Sequence, residues 1–199
     1  MAIPTRKEWQ KIRDAAGGKA GETKKVSVGK ALDEYHKAAA KYSGDELLKP
    51  LQELERDLIT YCEAVKSTNP KLRTAVQDEL LAEITKEKRQ AKEVSGLADN
   101  IEELVKEIEK LMKKDDWVDE REKIADKFLS IRSCAEKLAD VDPDDRWAQI
   151  HRMTVLACND IEKGGRSFRF GDRSKFEEAE KQAEGTIEDA LKAIKRHVK

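Results

Sequence analysis

Residues 97–138 read LADNIEELVKEIEKLMKKDDWVDEREKIADKFLSIRSCAEKL, and this stretch decides the fold. Mostly apolar residues recur in this stretch at alternating steps of four and three, so that they fall on one face of a helix. This spacing is typical of helices that pack on other helices. The first run is Leu97, Ile101, Leu104, Ile108 and Leu111, and the second is Trp117, Arg121, Ile124, Phe128, Ile131, Ala135 and Leu138. Only residues 113–116 separate the two runs. So short a connection predicts an antiparallel helical hairpin of coiled-coil character.

The composition of the whole chain favours helices. Charged residues make up 41% and aromatic residues 5% of the 199 residues, with only 10 glycines and 4 prolines. A sheet would require more β-branched and aromatic residues. The 40 basic and 41 acidic side chains balance each other, and the apolar positions are periodic, which argues against disorder. A net charge of −1 gives no general reason to expect nucleic acid or an anionic membrane as partner.

These patterns predict an all-α fold, an antiparallel bundle of six or seven helices around the central hairpin. Residues 1–26 are predicted to form a short helix, begun by a capping box of Thr5 and Glu8, and then a mobile basic segment. Residues 27–199 are predicted to form a single bundle domain. Because glycine destabilises a helix interior, we expect a break or bend near Ser95 and Gly96.

One helix is expected to lie at the centre of this bundle. It begins near Asp142 and Pro143, and from Trp147 to Asn159 its apolar residues spread around the circumference. Such a helix should be buried on most sides. The pair Gly164 and Gly165 is predicted to end it, and a loop is expected to follow as far as Asp172.

The most unusual local composition lies between Gly164 and Lys175, where arginine alternates with phenylalanine. Three interpretations remain open: the aromatic rings pin a loop to the core, the segment contacts a protein, or it binds nucleic acid by phosphate contacts and base stacking. The candidate partner-binding residues are Arg166, Phe168, Arg169, Phe170, Arg173 and Lys175. Trp9 joins them because the N-terminal helix is too short to be stable alone and must dock either on the bundle or on a partner.

Catalytic and metal sites have weaker support. Asp33 and His36 share the spacing of a di-metal carboxylate ligand pair, but a second pair with two further carboxylates would be needed, so we predict no metal site and no cofactor. His151 is expected to be partly buried with a hydrogen-bond partner. The cysteines (Cys62, Cys134 and Cys158) lie on apolar faces, far apart and odd in number, which favours inert thiols in a reducing compartment.

The sequence favours a non-enzymatic binding or scaffold protein that acts through protein–protein contacts. A homodimer through the heptad seam is one form of this hypothesis. The alternative is a nucleic-acid-associated protein that uses the Arg/Phe segment and the basic N-terminal region. A helical enzyme or toxin with scattered site residues is a third class. Because neither a signal-peptide core nor an apolar run of membrane-spanning length is found, we expect a cytoplasmic protein and no membrane partner.

Overall fold

The computed structural model describes residues 2–15, 28–65, 75–113, 117–142, 144–169 and 173–198, and only the backbone at 75–77, 117–118, 164–169 and 173–176. Seven α-helices and no strand lie within these ranges, which confirms the predicted all-α class. They are α1 (Arg6–Ala15), α2 (Val28–Ala39), α3 (Leu48–Val65), α4 (Leu81–Met112), α5 (Arg121–Val141), α6 (Asp145–Arg169) and α7 (Arg173–Val198). Turns of 3-10 helix precede α3 (Gly44–Leu47) and α5 (Trp117–Glu120), and a π-helical turn (Ala75–Leu80) precedes α4.

The chain forms two compact units, Met1–Ser95 (unit 1) and Gly96–Lys199 (unit 2). The boundary falls inside α4, which is helical without interruption from Leu81 to Met112. A break at Gly96 is therefore absent, because cooperative helix formation outweighs the roughly 1 kcal/mol that one glycine costs. The prediction of a single bundle domain over residues 27–199 stays a prediction, since only a cooperative melt defines a folding unit.

Unit 1 packs α1, α2, α3 and the first half of α4 around one apolar core. Each helix contributes side chains at the three- and four-residue spacing of a single face. The buried residues are Ile3, Trp9, Val28, Ala31, Leu32, Tyr35, Leu51, Leu54, Leu58, Tyr61, Cys62, Val65, Leu80 and Ile84. The predicted capping box is confirmed: the Thr5 amide donates to Glu8 Oε2 at 2.7 Å, and the Glu8 amide donates to Thr5 Oγ1 at 3.4 Å.

Two polar contacts hold the first half of α4 in unit 1. The Tyr35 hydroxyl donates to Glu87 Oε2 at 3.3 Å, and Lys88 Nζ donates to Glu55 Oε2 at 2.8 Å. These contacts lie where the apolar pattern of the sequence thins out between Thr85 and Glu93. Helix packing there depends on long polar side chains as well as on the buried residues Ala91 and Val94.

The Tyr35 contact predicts a pH-dependent stability. Burial, and next the nearby Glu87 carboxylate, raise the pKa of Tyr35 from 10.0 to about 12. The neutral phenol is thus favoured in the folded state, so its contribution is complete below pH 10 and is lost as the pH rises through about 12. We expect Tyr35→Phe to remove this part of the alkaline destabilisation and to delete a step near pH 12 from a tyrosinate absorbance titration. Loss of a step near pH 10 instead would contradict the raised pKa.

Among the described residues of unit 1, Gly44 has a backbone conformation that favours glycine. Its φ of +69° lies in the left-handed region, and it sits buried with the Ser95 backbone 3.5 Å from where a Cβ would stand. We expect Gly44→Ala to destabilise unit 1 by about 1–2 kcal/mol in urea denaturation, because L-residues pay that amount in this conformation.

Gly185→Ala is the matched control for Gly44→Ala. Gly185 lies inside α7, and no described neighbour comes within 4 Å of the place where its Cβ would stand, so alanine should stabilise the helix by about 1 kcal/mol. Equal effects of the two substitutions would show that neither backbone conformation matters.

Unit 2 is a four-helix bundle with up-down-up-down connections, built from the second half of α4 with α5, α6 and α7. An ion pair between Lys127 and Glu107 shows that the chain reverses after α4, which confirms the predicted antiparallel hairpin. Helices α5 and α6 are also antiparallel, since Ala125 meets Cys158 (3.9 Å) while the later residue Glu136 meets the earlier residue His151 (3.0 Å). Thr186 of α7 donates to Asp160 of α6 at 2.8 Å.

The buried faces of the central hairpin agree with the prediction for α5 but not fully for α4. On α5, Ile124, Phe128, Ile131, Ala135 and Leu138 are all buried. On α4, Ile101, Val105 and Ile108 are buried, whereas Leu97 and Leu104 are only partly covered. The buried residues of this face pack inside the chain's own unit 2, and a homodimer stays a prediction.

The predictions for α6 were wrong in two respects. Trp147, Ile150 and Ala157 are buried, but Leu156 is 51% exposed, so α6 is covered on one side only. The helix also continues past Gly164 and Gly165 to Arg169, so the loop expected from Gly164 is absent as far as Arg169, and residues 170–172 lie outside the described ranges. Neighbouring helical turns stabilise a helix more than two glycines destabilise it.

Candidate functional site

A groove of about 250 Å³ opens on unit 2 between the second half of α4 and the last turns of α7. We call it the α4–α7 groove. The residues that line it are Glu102, Val105, Lys106 and Glu109 on α4, and Ile194, Lys195 and Val198 on α7. They follow at steps of three, one and three residues on α4 and of one and three on α7, so each set occupies one helix face.

The floor of the α4–α7 groove is aliphatic. Val105 is 2% exposed and Ile194 is fully buried, while Val198 is partly exposed at the end of α7. Ile194 and Val198 are four residues apart in the sequence of α7, a spacing that places them on one apolar stripe of the helix. The groove therefore continues the core of unit 2 outward to the surface.

Ion pairs form the rim of the groove. Lys106 lies 3.7 Å from Glu102 one turn earlier on α4, and Lys195 of α7 forms an ion pair with Glu109 of α4. Each lysine among the lining residues thus faces a glutamate, and the rim has no net charge. Lys195 also lies in the last turn of α7, where a positive charge complements the negative end of the helix dipole.

This arrangement suits binding of an apolar group. The volume is below the roughly 300–1,000 Å³ of pockets that enclose drug-sized ligands. An apolar centre surrounded by paired charges is also the anatomy of a protein–protein contact site. The lining residues are aliphatic, lysine or glutamate, so the groove offers a partner hydrophobic burial and polar contacts at its edge.

For most of the predicted Arg/Phe site only the backbone is described. Arg166, Phe168 and Arg169 fall on the backbone of the last turns of α6, and Arg173 and Lys175 fall on the first turn of α7. Their side chains are not described, and Phe170 lies outside the described ranges. Partner binding by these residues stays a prediction.

Trp9 docks on the bundle, which is one of the two alternatives that the sequence left open. Its side chain is 5% exposed and meets the Tyr61 ring edge-on, with 5.4 Å between the ring centroids. Trp9 is thus a core residue of unit 1 in this structure, and a surface role would require α1 to leave its place.

The residues considered for a metal site have other contacts. Asp33 Oδ2 accepts a hydrogen bond from Arg6 at 3.1 Å, and His36 Nε2 lies 3.1 Å from the Pro4 carbonyl oxygen. Both side chains therefore hold the N-terminal segment on α2. Within the described residues, no group of three His, Cys, Asp or Glu side chains could bind a metal ion.

The histidine and the thiols of unit 2 have structural surroundings. His151 is partly buried and contacts Glu136, as expected; Arg132, and next His151, lower the pKa of that carboxyl. Burial raises the pKa of the Cys134 and Cys158 thiols, which disfavours the reactive thiolate. All three cysteines are free, as the sequence predicts.

No family model, curated protein or solved structure matches the chain. Among the described helices, none is long and apolar enough to cross a membrane. The geometry of the two units is therefore the basis on which a function can be proposed.

Proposed function

We propose that the protein is a non-enzymatic helical scaffold that binds a protein partner through the α4–α7 groove. The observation that carries this proposal is the α4–α7 groove itself, where the partly exposed Val198 lies beside the core residues Val105 and Ile194 and two ion-paired lysines. An apolar side chain of a partner, inserted between the two helices, would cover Val198 and fill the groove. The rim would then contribute specificity more than affinity, since exposed ion pairs stabilise little.

A folded or helical protein segment fits this groove better than a free small molecule does. Two helices form its walls, and helix-in-groove recognition places side chains at three- and four-residue spacing along such a wall. The floor is short, so one or two anchor residues would supply most of the binding energy. The cytoplasm is part of the proposal, and it is supported by the three free thiols.

A pull-down with a matched pair of variants tests the proposal. Val198→Arg places a long charged side chain over the groove floor, at a partly exposed position near the end of α7 where the fold should tolerate it. Leu156→Arg makes the same chemical change at a leucine that is 51% exposed on α6, away from the groove. We expect Val198→Arg to capture at least tenfold less partner than the wild type does, and Leu156→Arg to capture the same amount as the wild type. Both variants should melt like the wild type.

Several results would count against the groove. Equal capture by both variants would exclude it as the binding surface. Recovery of nucleic acid in a complex that weakens steeply with salt would instead favour the alternative function based on the Arg/Phe segment. Light scattering on the same samples should show whether a captured partner is a second copy.

A further inference from the structure

Unit 1 holds its own residues 2–15, which we call the N-terminal segment, in an apolar groove. Ile3, Pro4 and Trp9 of the segment are buried there, although α1 itself is exposed over most of its surface. The space left around them is about 10 Å³, roughly what one water molecule requires, so the segment fills the groove. The groove side consists of residues no more than 4% exposed: Leu32, Leu54, Leu58, Leu80 and Ile84.

The polar contacts of the segment lie at the edge of this groove. Arg6 Nη1 pairs with Asp33 Oδ2 at 3.1 Å, but the two side chains are 67% and 39% exposed. The contact between His36 and the Pro4 carbonyl is partly buried. Exposed pairs of this kind add at most about 1 kcal/mol. Ile3, Pro4 and Trp9, together with the partly buried Ile12, therefore supply most of the binding free energy, as anchor residues do in a peptide complex.

The N-terminal segment makes several of its backbone hydrogen bonds within itself. Its capping box joins Thr5 to Glu8 within the segment, and Trp9 donates its amide to the Thr5 carbonyl at 2.9 Å. The amides of Thr5, Glu8 and Trp9 thus find their acceptors within the segment, without help from the groove. With 10 residues α1 is too short to persist alone in water, so it should fold when it docks.

The N-terminal segment packs antiparallel to α2. Pro4 contacts His36, while Arg6, later in the segment, contacts Asp33 and lies beside Gly29, earlier on α2. A Cβ at Gly29 would stand 3.3 Å from Arg6 Nε, so the glycine permits this close approach. Recognition by the groove therefore involves the direction and the sequence of the segment as well as its hydrophobicity.

We propose that this groove of unit 1 is an exchangeable helix-binding site, and that it accepts residues 2–15 of a second copy of the chain. The occupant that the structure shows is this chain's own sequence, so a second copy offers identical contacts with no new interface. The tethered segment competes at an effective concentration on the order of 1 mM, so exchange requires high concentration or a weakened tethered segment. The site lies in unit 1, and its test is independent of the α4–α7 groove.

The test uses a fluorescently labelled peptide of residues 2–15 and full-length chains, with binding read by anisotropy. Trp9→Ala in the chain removes the main anchor of the tethered segment and leaves the groove residues intact. We expect this chain to bind the peptide at least tenfold more tightly than the wild type does. Arg6→Ala, which removes the exposed ion pair and the packing of Arg6 beside Gly29, should improve peptide binding about two- to fivefold, the equivalent of up to about 1 kcal/mol.

Two peptides provide the specificity control. A peptide with Trp9→Ala should bind at least tenfold more weakly, whereas one with Gln10→Ala, altered at an exposed neighbour, should bind like the unaltered peptide. Sedimentation of the wild-type chain up to about 1 mM should also show a growing dimer fraction that unlabelled peptide dissociates.

The proposal is overturned if the Trp9→Ala chain keeps a cooperative melt yet binds the peptide no better than the wild type. If the Trp9→Ala chain does not fold, the Arg6→Ala chain provides the test. An affinity for the peptide no higher than that of the wild type then overturns the proposal. Equal binding of all three peptides would show non-specific adhesion. A chain that stays monomeric at about 1 mM while binding the peptide would refute the second copy as occupant.

Discussion

Phe128→Ala should destabilise unit 2 by about 3–5 kcal/mol, which is a large part of the stability of a domain of this size. Phe128 is fully buried on α5 and is among the largest side chains of the core. Its loss removes buried apolar area and leaves a cavity that fixed helices cannot fill completely. Urea denaturation followed by circular dichroism at 222 nm should show the shift in midpoint.

Leu129→Ala is the control for Phe128→Ala. Leu129 is the next residue on α5 and is 50% exposed, so its truncation should cost about 1 kcal/mol or less. Comparable losses from the two substitutions would mean that α5 presents a different face to the core.

Trp9→Ala should destabilise unit 1 by about 3–5 kcal/mol. The indole is buried between α1 and the core and has an edge-on contact with Tyr61, and such a pair adds to simple area burial. Because α1 has little other apolar surface, we expect it to detach in this variant. Hydrogen exchange should then show its amides, protected in the wild type, exchanging at the rate of an open chain.

Ile59→Ala is the control for Trp9→Ala. Ile59 lies on α3 of the same unit and is 44% exposed, so its truncation should lower the free energy of unfolding by about 1 kcal/mol or less. Protection of the α1 amides that survives Trp9→Ala would show that the polar contacts to α2 suffice to hold the segment.

The sequence predicted the fold class and one helix face well because those depend on local periodicity. Every aliphatic and aromatic position predicted for α5 from Ile124 to Leu138 is buried. On α4 two apolar rows run side by side, and spacing alone could not decide between Leu104 and Val105. The structure buries Val105, in register with Ala91 and Val94 earlier on the helix.

The candidate site was not predictable from the sequence. Its walls, α4 and α7, are far apart in the chain, and the ion pair of Glu109 with Lys195 joins residues that no local pattern relates. Only the apolar stripe of Ile194 and Val198 gave a partial signal. Trp9 shows the converse: the sequence indicated that α1 must dock, but only tertiary contacts could show on what.

The buried thiol of unit 1 is a chemical reporter of opening. Cys62 is 2% exposed in unit 1, whereas Cys134 and Cys158 in unit 2 are only partly covered. An alkylating reagent reaches the covered sulfur of Cys62 only while its surroundings are open, so the labelling rate of Cys62 measures the opening of unit 1. Mass spectrometry of partly alkylated chains would follow this opening in the unmodified sequence, with the faster labelling of Cys134 and Cys158 as the reference.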